Sequence, residues 1–285
     1  MNEVFDLIAV RPPYFALQNI CLDPGSLMAN AAPSHPLRRE QSVIAAAEAG
    51  RHLAIAGAIA AATLHELPGK HFYLARRASI RKSSRSGTAL RPGETLNIRA
   101  RSEGVTKRKA SATATISHLT EGKERELYTI CVDYDVLSPR IFQRLIGGMQ
   151  ALPEPASHIE ILEQDIPMRR TSRETVEAEV PVLPGHCVGH FPDYPALPVA
   201  KVMHLLSNLA GEHLSALLGA SDLKFEVRGA EVMAERLAPA GSHVRILSTY
   251  LGPGSDDAHK FRCEARIPEG ICGTMDLTLV HVHPT

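Results

Sequence analysis

The chain has no tryptophan, and only 5% of its 285 residues are aromatic. Stacking platforms for unpaired bases are therefore scarce, which argues against a single-stranded nucleic acid ligand. Charge of either sign is not in surplus: 31 basic residues balance 31 acidic ones. That balance removes any whole-molecule electrostatic case for nucleic acid or a membrane surface. The five cysteines, Cys21, Cys131, Cys187, Cys263 and Cys272, are dispersed without C-x-x-C spacing. Such a set excludes a disulfide framework and a cysteine-rich zinc site. Long apolar runs are missing as well; the uncharged piece from Leu53 to Leu64 is too short for a bilayer span. The opening MNEVFDLIAVRPPYF puts acids ahead of a short apolar stretch, unlike a secretory leader. The expectation is a cytoplasmic, reduced protein.

What is present is an alanine-dense segment, EQSVIAAAEAGRHLAIAGAIAAATL at 40–64. It is apolar nearly all round, the pattern of a helix buried on most sides. Strand-like runs follow at 72–83, 94–104, 109–119 and 126–137, with turns at Arg91-Pro92-Gly93 and Glu121-Gly122. A further strand is expected ahead of the helix, over 14–22. The second half repeats the order: a strand at 174–182, a helix at 199–218, then strands near 223–235, 243–251, 259–267 and 271–282. An offset of 156 aligns Pro192 with Pro36, Leu209 with Leu53 and Ala210 with Ala54. These runs predict domains at 1–137 and 174–285, with a linker at 138–173 that carries a short helix at 140–150. A long buried helix wrapped by an antiparallel sheet, present twice, is an α+β arrangement of two fused hotdog domains.

The stretch GHCVGHFPDYPALPVAKVMHLLSNLAG at 185–211 carries the chemistry. It resembles the β-hydroxyacyl-ACP dehydratases, whose signature is G-H-F-P-x-x-P-x-x-P-G leading into the hotdog helix. Gly189, His190, Phe191, Pro192, Pro195 and Pro198 match in register, while Val199 stands where the family has glycine. The resemblance implies a histidine working with a helical acid fourteen residues on. Here that position is His204, and fourteen before the helical Glu48 is Ser34. Each half lacks what the other has. In the family the two groups meet across a dimer interface, so the resemblance implies one composite site, His190 with Glu48, and a degenerate mirror site, Ser34 with His204.

In that reading His190 is the base that takes an α-proton, and Glu48, desolvated, is the acid for the departing hydroxyl of a 3-hydroxyacyl thioester. Substrate contacts are expected from Val199 and Pro198 at the helix N-terminus, from Phe191 and from His52. His35 is the stand-in for Ser34 if the alignment slips by one residue. Pairing of Glu48 with Arg51 and His52, one turn on, is the structural alternative to catalysis. Two further readings stay open: thioester hydrolysis with Glu48 activating water, and a non-catalytic protein that binds an acyl carrier.

The basic residues Arg76, Arg77, Arg81, Lys82 and Arg85, with Lys107, Arg108 and Lys109, are either a solvated face or a docking surface. The docking reading takes an acidic acyl carrier protein or the phosphates of CoA. No metal or redox cofactor is required. The partners expected are an acyl-ACP or acyl-CoA thioester, with no nucleic acid and no membrane. Divergence from the housekeeping enzyme points to a specialised route such as polyketide metabolism.

Overall fold

The computed structural model describes residues 2–66, 69–83, 90, 94–120, 122–146, 167–191 and 193–282. The first half runs α1 (Asn2–Leu7), β1 (Gln18–Asp23), β2 (Ser26–Ala31), α2 (Ala46–Ala62), β3 (Phe72–Lys82), β4 (Leu96–Val105), β5 (Lys109–Thr120) and β6 (Lys123–Leu137). After α3 (Pro139–Ile146) come β7 (Arg169–Arg170), β8 (Thr175–Pro181), β9 (Ala196–Leu197) and α4 (Val199–Leu218). The chain continues with β10 (Lys224–Ala234), β11 (Ala238–Pro239), β12 (His243–Pro253), β13 (Ala258–Ile267) and β14 (Gly270–Val282). Among the described residues no helix is long and apolar enough to cross a membrane.

Twelve strands form one antiparallel sheet in the order β1-β2-β4-β5-β6-β3-β10-β14-β13-β12-β8-β7. The order mirrors itself about the β3–β10 pair, whose register runs from Arg81↔Gly229 to Arg77↔Met233. Each half therefore curls four long strands around its own helix, α2 against β4 to β6 and α4 against β12 to β14. The helices are alanine-rich because the curved sheet comes close. A Cβ added at Gly57 of α2 would sit 2.7 Å from the Tyr134 hydroxyl and 2.9 Å from the Ala112 side chain. Leu53, Ala56, Ile59 and Ala60 are fully buried on this helix.

Two expectations are corrected. The strand expected over 14–22 begins at Gln18, and the strand that lies beside β4 is β2, which has no counterpart among the expected strands. The helix expected from residue 40 begins at Ala46. Residues 39–41 instead bond to the backbone of Phe225, and the Glu40 carboxylate accepts the Ala46 amide at 2.8 Å. The first half is thereby tied to the second ahead of its helix. The short helix in the connecting segment ends at Ile146; Gly147, Gly148, Pro153 and Pro155 lie outside the described residues.

Candidate active site

The two central helices touch, and between them lies an apolar cavity of about 190 Å³. Small residues make the room: Ala47, Gly50 and Ala54 from α2 face Ala200, Met203 and Ser207 from α4. His190, Phe191, Val199, Tyr14 and Arg51 also line it.

His190 is placed by backbone geometry. Gly189 has φ +80°, and a Cβ there would meet the Arg11 carbonyl at 2.4 Å and the Tyr14 amide at 2.8 Å. Only glycine admits so close an approach in that conformation. Arg11 N–H donates to the Gly189 carbonyl, and Val10 bridges to His190. Phe191 follows with φ +52°, held in an aromatic cluster with Phe72 and Phe142 at 5.4 and 5.0 Å between centroids. Pro192 lies outside the described residues.

The imidazole of His190 is buried, with Nδ1 3.2 Å from the Ala196 carbonyl. A carbonyl only accepts, so Nδ1 carries the proton and Nε2 keeps its lone pair. Burial pushes the pKa down to about 4 against the Ala196 contact, and Lys201 adds repulsion. The ring is neutral at neutral pH. Tyr14 stands edge-on to it at 5.2 Å. Pro198 caps α4 without a side-chain bond, and the amides of Lys201 and Val202 return to its carbonyl. The amides of Val199 and Ala200, the first of the helix, have no acceptor among the described residues.

Glu48 does not line this cavity. It borders a smaller chamber with His35, Arg51, Lys201 and His204. One oxygen accepts from the Ser34 amide at 2.8 Å, the Ser34 hydroxyl at 2.6 Å and Arg51 at 3.2 Å. The other oxygen lies 3.3 Å from the His35 amide. Burial raises the carboxyl pKa, but His52, Ser34, His35 and Arg51 outweigh it and hold the group at about 2. His52, expected to contact substrate, is fully buried behind it with Nε2 3.7 Å from Glu48. His204 stacks obliquely on His35 at 6.1 Å and bonds Asn208.

The structure thus gathers Ser34, Glu48 and His204 in one compartment, and His190, Phe191 and Val199 in the next. Arg51, with Ala47 and Ala200, forms the shared wall. Sequence reasoning treated Arg51 only as a partner for Glu48 and gave no role to Tyr14. The signal for Arg51 was its charge amid alanines; for Tyr14 there was none, because its place depends on the contact between Arg11 and Gly189.

At the mouth, Arg76, Arg77 and Arg236 border both the cavity and an outer groove that includes Lys109. A bulge in the β3–β6 register between Ala75 and Arg77 turns consecutive arginines toward one opening. Arg76 pairs with Asp135 at 3.2 Å, and Arg81 lies further along, 3.9 Å from Glu231. Lys82 does not belong to this surface: its amine is buried 3.4 Å from Glu226, out of reach of a docking partner. Arg85 lies outside the described residues. Among the described residues no cluster of three His, Cys, Asp or Glu is arranged to hold a metal.

No family model matches the sequence, and no curated protein matches it. Solved structures do match the fold. The tesB protein from Mycobacterium avium subs paratuberculosis overlaps with a TM-score of 0.61 at 11% identity, over 93% of this chain and 96% of that one. The 12:0-ACP thioesterase from Umbellularia californica gives 0.56 at 11% identity, over 90% and 94%. The acyl-CoA thioesterase II TesB2 from Mycobacterium marinum gives 0.55 at 10%, over 95% and 96%. With two sheet-wrapped helices set face to face in one chain, and overlaps of this extent with such proteins, this is a double hotdog protein.

Proposed function

We propose that the chain binds an acyl thioester with its acyl chain in the apolar cavity and hydrolyses it, with His190 as general base. The observation that carries this reading is the shared cavity. His190, a neutral imidazole with a free Nε2, lines the same apolar space as Val199 and Ala200, whose amides are unbonded among the described residues at the helix N-terminus. Nε2 takes a proton from water as the water oxygen attacks the carbonyl carbon. The carbonyl electron pair moves to oxygen, where the amides of Val199 and Ala200 offer donors. Collapse breaks the C–S bond, and the imidazolium returns its proton to sulfur. The carrier, CoA or an acyl carrier protein, is anionic in either case, and Arg76, Arg77 and Arg236 at the mouth suit it. That two of the three overlapping structures named above are thioesterases supports hydrolysis.

Dehydration of a 3-hydroxyacyl thioester is the second reading, favoured by the G-H-F run with Pro195 and Pro198 that leads from His190 into α4. It needs a proton donor for the hydroxyl, and Glu48 is ionised and faces the other chamber. Incubation with saturated and 3-hydroxyacyl-CoA separates the readings: free thiol from both marks hydrolysis, enoyl absorbance from the second alone marks dehydration. Turnover unchanged in His190→Ala would remove both.

A further inference from the structure

Three tyrosines are buried in the core, Tyr14, Tyr128 and Tyr134. The Tyr128 hydroxyl bonds Ser42 at 3.1 Å, and Tyr134 donates to the Ala54 carbonyl at 2.7 Å. Tyr14 is 7% exposed, yet its hydroxyl has no hydrogen-bond partner among the described residues. A hydroxyl with no partner in the protein is left to water or to a ligand. This one lines the cavity beside His190, with the Arg51 guanidinium carbon 5.6 Å from its ring. It is also fixed there, because Arg11 bonds the Gly189 carbonyl and the Tyr14 amide abuts Gly189. The chain has placed a rigid phenol, with no bond to the protein from its hydroxyl among the described residues, beside the candidate base.

We propose that Tyr14 is a further catalytic residue, whose hydroxyl donates a hydrogen bond to the thioester carbonyl oxygen as negative charge develops there. The inference rests on the reading of the cavity as the thioester site. Tyr14 keeps its proton throughout: burial holds the phenol far above its ordinary pKa, against the pull of Arg51. A group that stays neutral is a donor rather than a base, the complement of His190. Glu48 is excluded from that part because its oxygens are already occupied and charged.

The test uses two non-hydrolysable probes, S-(2-oxodecyl)-CoA, which keeps the carbonyl, and S-decyl-CoA, which lacks it. Tyr14→Phe removes only the hydroxyl. The expected result is weaker binding of the carbonyl probe by roughly 3- to 10-fold, with the alkyl probe unaffected. The melting temperature should hold, because the hydroxyl makes no bond to the protein among the described residues; a merely structural tyrosine would give a fall. Equal effects on both probes, or none on either, would overturn the role of Tyr14. In the same series His190→Ala should leave both affinities nearly intact while abolishing turnover of decanoyl-CoA. Retained turnover in that variant with a carbonyl-specific loss in Tyr14→Phe would sink the base and keep the donor.

Discussion

At position 48 a carboxylate sits among alanines, and its environment decides what it does. It accepts from Ser34, borders His35 and pairs with a buried arginine, so it is tuned to stay ionised. Its folded pKa of about 2 lies below the ordinary 4.5, so its ionised form stabilises the fold above pH 4.5. That contribution, on the order of 3 kcal/mol, is lost as pH falls toward 2. Replacing it leaves Arg51 buried without its counter-ion. Glu48→Gln should therefore cost about 3 kcal/mol in urea denaturation. A group acting only as a proton donor would instead lose turnover with little change in the unfolding midpoint. For His190 too the proton-free form is the favoured one. The base form is the neutral ring, so kcat/KM should rise with pH through a limb near 4 and stay flat across the neutral range, as a pH–rate profile would show. A limb near the ordinary 6.5 would place the essential base elsewhere.

Among the elements, both central helices and all but one of the long strands were legible, because alanine density and period-two alternation survive burial in a curved sheet. β2 was not. Its SLMANA mixes small and polar residues, and its pairing with β4 comes from tertiary contact rather than local preference. The site was half legible. The G-H-F run marked His190 and the start of α4, since fixed turn residues at fixed spacing leave a local trace. The partition into two compartments left no such trace, because it depends on how residues 34–35 fold back onto Glu48. α3 belongs to this scale too. Phe142 is fully buried and stacks on Phe72 at 3.8 Å, behind the strained Phe191. Phe142→Ala should cost about 3–5 kcal/mol by chemical denaturation. It should also lower kcat more than it raises KM, because Phe191 fixes the turn that presents His190.

Across the whole molecule, charge and burial set two measurable behaviours. Four histidines, the buried His190 and His213 and the half-buried His35 and His204, have pKa values pushed down to about 4, with desolvation the largest cause in each. Below the ordinary 6.5 the unfolded chain takes up protons that the folded one refuses, so stability should fall steadily between pH 6.5 and 4. Thermal melts at closely spaced pH values would show the slope; a flat profile there would mean these rings are hydrated. The basic mouth makes the second behaviour. Arg77→Glu should raise KM for an anionic acyl carrier several-fold at low ionic strength, and the difference should shrink as salt rises. The same variant should leave the acyl-pantetheine analogue without phosphate unaffected.

The proposed site also implies a stoichiometry. A symmetric pair of such domains presents its cleft twice, once for each arrangement of histidine and helix. Here one of the two equivalent positions is filled by Ser34, Glu48, Arg51 and His204 bonded or packed against one another, leaving a void of only about 20 Å³. Titration with an acyl probe should accordingly reach its endpoint at one equivalent per 30.9 kDa chain.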